Sequence, residues 1–167
     1  FGIQSSQKVG PTVADDIKTS AIWSILFALI AIALYILIRF RNIAFSAGAV
    51  VGLVHDVLFI LGIYSIFYSI MPFSLEIDQS FIAAILTVIG YSINDTVVVF
   101  DRIRENVGLY PKRALNELIN MSVNSTLSRT FSTSFSTALP LLAMFIFGGA
   151  TIRGFVFAIL LGVIVGT

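Results

Sequence analysis

Phe81-Ile-Ala-Ala-Ile-Leu-Thr-Val-Ile-Gly-Tyr-Ser-Ile-Asn-Asp-Thr-Val-Val-Val-Phe100 contains a single charged residue, Asp95. A run of about 20 mostly apolar residues is what a helix needs to cross a bilayer. The stretch shows none of the period-2 alternation of a membrane β-strand, so it reads as a transmembrane helix. Asp101-Arg-Ile-Arg-Glu105 follows at once and crowds charge against one end of it. An apolar run closed by charges defines both a span and its boundary.

The same pattern recurs outward along the chain. Residues 21–38, 43–70 and about 127–147 are further span-length runs, and a fifth begins near Ile152. The fold class expected is all-α, a polytopic transmembrane helix bundle of about five spans. The run 43–70 exceeds what a bilayer requires, which a tilt or interfacial ends would absorb. Composition agrees: 57% of residues are hydrophobic and 11% charged, and mean hydropathy is +1.00. A soluble domain carries about 25% charged residues, so lipid covers most of this surface. A net charge of +1 gives no field to hold nucleic acid. Zero cysteines exclude disulfides, thiolate metal sites and cysteine nucleophiles.

The chain starts at Phe1 without a methionine and stops at Thr167 within an apolar run. A piece of a longer protein is the expectation, and no signal peptide is legible at its start. Residues 1–20 read as an extracytoplasmic segment leading from an external domain, and 21–167 as the helix bundle.

Most of the ten Lys or Arg and nine Asp or Glu lie in connections or at span ends. The connections 39–42 and 101–120 hold Arg39, Arg41, Arg102, Arg104, Lys112 and Arg113, whereas 71–80 holds only Glu76 and Asp78. The positive-inside rule therefore makes 39–42 and 101–120 cytoplasmic, and 1–20 and 71–80 extracytoplasmic. Within 101–120, Ala114, Leu115, Leu118 and Ile119 recur at helical spacing after Pro111. A short amphipathic helix lying on the membrane surface is expected there.

Charges left inside apolar runs are the candidates for chemistry. Asp95 lies six residues before Asp101, roughly 9 Å inside its span at 1.5 Å per residue. A charge at a helix centre costs about 2.5–3.5 kcal/mol on insertion scales, and such residues usually face a bundle interior or a water path. Thr87, Tyr91, Asn94 and Asp95 fall at helical spacing on one expected polar stripe. The opposing candidate is Arg129, in a span crowded with hydroxyls from Ser128 to Thr137. Those hydroxyls either satisfy their own i−4 carbonyls or line a hydrated interior. Arginine stays protonated, so its part would be electrostatic: a nearby cation favours the ionised carboxylate, and withdrawing it favours the protonated one. The bland alternative is a permanent Asp95–Arg129 pair that clamps two helices. His55 and Asp56 read equally as a relay, a packing pair or an interfacial anchor. Gly48 and Gly52 form a small-xxx-small pattern that suggests close helix packing. Asn94-Asp-Thr96 and Asn124-Ser-Thr126 match a glycosylation acceptor but lie in or beside spans on the inner side. No HExxH, P-loop or glycine-rich dinucleotide turn is present, so no cofactor or metal is expected beyond protons as coupling ion.

Gly90-Tyr-Ser-Ile-Asn-Asp-Thr-Val-Val-Val-Phe-Asp-Arg-Ile-Arg-Glu105 resembles the signature of the SecF family of bacterial protein-export subunits, within the resistance-nodulation-division superfamily. Val9-Gly-Pro11, His55-Asp56, Thr126-Leu-Ser-Arg-Thr130, Phe147-Gly-Gly149 and Arg153-Gly-Phe155 extend the likeness over nearly the whole chain. The resemblance implies a multi-pass inner-membrane protein that uses the proton-motive force to promote preprotein export. It implies SecD, separate or fused, the SecYEG channel, YajC and translocating preproteins as partners. Asp95 matches the family's proton-path aspartate and Arg129 its partner arginine. His55, Asp56, Asn94 and Thr96 become candidates for relay or helix packing. Asp101, Arg102, Arg104 and Glu105 form a charge cluster at the cytoplasmic end. The family pattern of six spans makes those present here helices two to six. An exporter of small molecules or lipids from the same superfamily, an intramembrane hydrolase built on His55 and a serine, and a passive scaffold are the rival readings.

Overall fold

The computed structural model describes residues 11–167, which form five helices: α1 (Pro11–Phe40), α2 (Ile43–Phe67), α3 (Gln79–Leu109), α4 (Leu115–Phe147) and α5 (Ala150–Val165). The first four are long and apolar enough to cross a membrane. The expected all-α bundle is therefore the fold, with no strand among the described residues.

Helix ends follow local chemistry. α1 opens on Pro11, whose fixed φ suits a first helical position. The expected extracytoplasmic segment 1–20 thus divides: 11–20 are the first turns of α1, and 1–10, with most of Val9-Gly-Pro11, lie outside the described residues. Arg41 and Asn42 alone join α1 to α2. Arg41 has φ 52° and returns its N–H to the Leu37 carbonyl at 2.8 Å. Asn42 caps α2, its side chain accepting from the Ala44 N–H at 2.8 Å. Asp78 caps α3 in the same way through the Phe81 N–H at 2.8 Å; each such cap satisfies an orphan amide.

The expected surface helix within 101–120 is not a separate element. α3 runs on through Gly90 and Gly108 to Leu109 and stops where the position before Pro111 disfavours helix. α4 starts at Leu115 and continues unbroken through the next span. Leu118, expected to face lipid headgroups, is buried. Next to it, Asn106 of α3 donates to the Ser122 hydroxyl at 2.7 Å, and Ser122 donates to the Leu118 carbonyl at 2.6 Å. With 31 residues in α3, that helix is about 46 Å long against a hydrocarbon core of about 30 Å. Its last turns, from Asp101 onward, therefore project beyond the apolar layer together with the first turns of α4.

α3 is the centre of the bundle and packs against all four other helices. Around it α1 neighbours α2, α2 neighbours α5 and α5 neighbours α4, while α1 and α4 do not meet among the described residues. One face of α3 is thus left open. The main core joins α2, α3 and α5 through residues such as Leu53, Ile60, Ile85, Val88 and Val163. α5 approaches α3 closely enough that a Cβ at Gly162 would overlap Val88 Cγ2. A Cβ at Gly154 would lie 2.6 Å from the Ser74 carbonyl oxygen in the α2–α3 loop. At Gly166 a Cβ would lie 2.9 Å from Ser92 Cβ of α3, so Gly154, Gly162 and Gly166 all pack closely against another element. Gly48 and Gly52 do not: nothing lies within 4 Å of a Cβ at Gly52, and Gly48 would meet only Phe100 at an ordinary 3.8 Å. Small residues at i and i+4 share a face, but their spacing does not say which way that face turns, and this one turns outward.

Candidate functional site

Two carboxylates enter the bundle from adjacent helices. Asp56, near the middle of α2, is 5% exposed and Asp95 of α3 is 7% exposed. Ser92 lies one turn before Asp95 on the same face of α3, as i and i+3 residues do. Its hydroxyl donates to Asp56 Oδ2 at 2.7 Å. The other Asp56 oxygen meets His55 Nδ1 at 3.2 Å, while the His55 side chain itself is 66% exposed. Asp56 is therefore held inside the bundle by Ser92, and His55 covers it from outside. Among the described residues no serine is hydrogen-bonded to His55, so the nucleophile–base contact required of a hydrolase is missing.

The polar layer continues across α3. Tyr91 donates to Ser134 of α4 at 3.0 Å, and Ser134 shares a 2.6 Å hydrogen bond with Thr167 after α5. Ser92 also reaches the Gly166 carbonyl at 3.5 Å. Asp56, Ser92, Tyr91, Ser134 and Thr167 thus tie α2, α3, α4 and the end of α5 together at one level. Ser92 and Ser134 gave no sign of this in the sequence, where they look like any other serine. Ser92 was recoverable only from its i, i+3 relation to Asp95.

Asp95 differs from every other acid in the bundle. Its Oδ2 is buried and has no hydrogen-bond partner; only Thr130 Oγ1 and Arg153 Nε share that condition among the described residues. Burying a carboxylate as an anion is expensive unless donors or a cation come to it, and a proton is one way to remove the charge. Arg129 is not in contact: no Asp95–Arg129 ion pair within 4.0 Å exists among the described residues. Arg129 is exposed and lines a cavity of about 310 Å³ with Val98, Asp101, Arg102, Ser125 and Thr126. The permanent clamp between the two is therefore not what this structure shows.

The stripe expected from Thr87, Tyr91, Asn94 and Asp95 is divided. Thr87 and Asn94 face outward on the open side of α3, whereas Asp95 turns into the bundle. Successive residues on a helix point about 100° apart, so neighbours such as Asn94 and Asp95 sit on either side of that edge. Asn94 borders a cavity of about 360 Å³ shared with Tyr35, Gly90, Tyr91 and Val97. Thr96 only returns its hydroxyl to the Ser92 carbonyl at 3.1 Å. Most α4 hydroxyls do likewise, as with Ser132 to Ser128 at 2.8 Å and Thr133 to Arg129 at 3.0 Å. Of the two options for that hydroxyl-rich helix, back-bonding to its own carbonyls accounts for most, with Ser128, Thr130 and Ser134 the exceptions.

At the projecting end of α3 the charge cluster splits into separate contacts. Asp101 pairs with Arg39 of α1 at 3.0 Å. Arg102 pairs with Glu105 at 2.6 Å and donates to Ser125 of α4 at 3.0 Å. Arg104 has only the Arg39 carbonyl, at 3.4 Å.

Five apolar helices with a polar layer through the middle of the bundle define a polytopic membrane protein. Residues 1–167 match the family model described as "Protein export membrane protein SecD/SecF, C-terminal", and the chain belongs to that family. It is 55% identical to the protein translocase subunit SecF of Rhodothermus marinus over 95% of this chain and 51% of that protein. It is 48% identical to the SecF subunit of Rhodobacter capsulatus over 99% of this chain and 47% of that one. The chain thus spans about half the length of the curated relatives it matches. A solved chain, "Crystal structure of SecDF in Super-membrane-facing form", superposes with TM-score 0.81 at 41% identity, over 95% of this chain and 20% of that one.

Proposed function

We propose that this chain is the membrane half of a SecF-type subunit that uses the proton-motive force to promote preprotein export across the bacterial inner membrane. The observation that carries the proposal is Asp95, a buried carboxylate whose Oδ2 has no donor, on the one helix that touches all the others. Taking up or releasing a proton there changes the charge at the centre of the bundle, and every helix packed on α3 feels the change. Arg129, not in contact with Asp95 in this arrangement and with open space beside it, supplies the paired cation in the alternative one. Movement of one charge through the full membrane potential is worth about 2.3 kcal/mol per 100 mV, so a few protons suffice for a sizeable helix movement.

The open face of α3 between α1 and α4 suits a SecD partner, separate or fused, whose own carboxylate would complete the polar layer. The basic ends 39–42 and 101–120 lie in the cytoplasm and 71–80 outside by the positive-inside rule. SecYEG, YajC and the preprotein are met by parts of the intact assembly. The test is potential-dependent export by the full-length protein assembled with its partner. Asp95→Asn should abolish the potential-dependent component while assembly persists. Unchanged export would refute the reading.

A further inference from the structure

The projecting end of the bundle holds a groove that the proton mechanism does not use. Its volume is about 600 Å³, and it runs between the α1–α2 turn and the facing turns of α3 and α4. Phe40, Phe45 and Phe100 form one wall, with ring centroids 4.8–5.8 Å apart. Val107 and Ile119 continue the apolar lining, and the polar rim carries Arg41 and Arg104 without any acidic side chain.

Those two guanidiniums differ from their neighbours. Arg39 is paired with Asp101 and Arg102 with Glu105, which uses both nearby carboxylates. Arg41 has no carboxylate partner among the described residues and Arg104 has only the Arg39 carbonyl. Arg41 also occupies the left-handed region, φ 52°, which is strained for a residue that carries a Cβ. A glycine would make this turn without that strain, and strain of this kind clusters at ligand sites. The groove sits where the apolar length of α1 ends, the depth at which lipid phosphates lie and aromatic rings gather.

We propose that this groove binds one anionic phospholipid, its phosphate on Arg41 and Arg104 and an acyl chain along Phe40, Phe45 and Phe100. An apolar trough with an unpaired cationic rim fits an amphiphile; a soluble phosphate would leave the aromatic wall unused, and a zwitterionic lipid would bring a third cation to the two already there. Basic pockets between transmembrane helices bind such headgroups by the same chemistry.

The experiment titrates phosphatidylglycerol, with phosphatidylcholine in parallel, into detergent-solubilised full-length protein and counts retained lipid by native mass spectrometry. Arg41→Gly with Arg104→Gln should weaken phosphatidylglycerol retention about 25-fold, roughly fivefold for each guanidinium, and leave phosphatidylcholine unchanged. Arg41→Gly suits the observed φ, so misfolding of the turn cannot imitate the result. Gly48→Met, which fills the groove from α2, should weaken both lipids. Arg113→Gln, outside the groove, should weaken neither. Wild-type retention by the double variant would overturn the proposal, as would an equal loss in Arg113→Gln. So would displacement of the lipid by glycerol phosphate at comparable concentration, which would mark a site for soluble phosphate.

Discussion

Asp95 and Asp101 occupy one helix six residues apart, and their surroundings are opposite. Asp95 is 7% exposed with one oxygen lacking any donor. Asp101 has a side chain 41% exposed and an arginine at 3.0 Å. Asp101 projects past the apolar layer, where water screens it and either partner can be replaced by solvent. Asp95 points between packed helices, where a change of charge cannot be absorbed so cheaply. Identical side chains thus acquire different surroundings from depth and helix rotation alone: one lies in an exposed ion pair, the other is buried among packed helices.

The largest expected effect of breaking that contrast lies at Asp95. Asp95→Asn in the full-length, assembled protein should abolish the potential-dependent part of export, because an amide has no carboxylate to take up and release the proton. Asp101→Asn in the same assay should leave more than half. If the two variants behave alike, depth along α3 does not distinguish the two carboxylates.

Packing on the buried side of α3 supplies the next effect. Gly162 lies so near Val88 that an added Cβ overlaps a β-branched side chain, which is stiff about χ1 and has little room to yield. Gly162→Ala should destabilise the bundle by about 1–3 kcal/mol, read as a lowered thermal midpoint in detergent. Gly52→Ala, with nothing within 4 Å, should leave that midpoint within experimental scatter. A similar drop for both would mean that α5 does not press on α3 as described.

Ser92→Ala comes third. It removes the donor to Asp56 Oδ2 and leaves a buried acceptor short of one bond, a loss of about 1–2 kcal/mol. Thermal unfolding measures it, and Ser92→Thr, which keeps the hydroxyl, should recover most of the loss. Failure of the threonine variant alongside full stability of the alanine one would show that the hydroxyl does not hold Asp56.

How much of this was legible beforehand depended on whether a signal is local. The helical class and the span count follow from apolar runs, which need only composition and length. Asp95 was legible because a lone charge in 81–100 is costly wherever the helix turns. The extension of α3 and α4 beyond the membrane was not, since charges at Asp101–Glu105 mark the edge of lipid and not the end of a helix. Partners across helices were the hardest. Only the i, i+3 relation to Asp95 sets Ser92 apart from Thr96, yet one reaches α2 and the other its own backbone. The separation of Arg129 from Asp95 depends on how α4 is rotated against α3, which no single-helix pattern records. Gly48 and Gly52 showed the same limit in reverse, with a packing motif on a face that packs against nothing close.

The smallest effect is expected where the sequence placed the densest charge. Asp101→Asn breaks the Arg39 pair, whose side chains are 43% and 41% exposed, and exposed pairs contribute about 0.2–1 kcal/mol. Arg39 also keeps its position over the Phe40 ring, 5.4 Å from the centroid, so the guanidinium is not left without an interaction. The loss should shrink further as salt rises, because the Debye length falls from about 10 Å at 0.1 M to about 3 Å at 1 M. Thermal midpoints of Asp101→Asn and the unmodified protein, compared at both ionic strengths, should therefore converge at high salt. The corresponding difference for Ser92→Ala should persist, since its hydrogen bond is sealed inside the bundle where ions do not reach. A salt-insensitive loss at Asp101 would place that carboxylate in a buried network, and the surface half of the contrast with Asp95 would have to be redrawn.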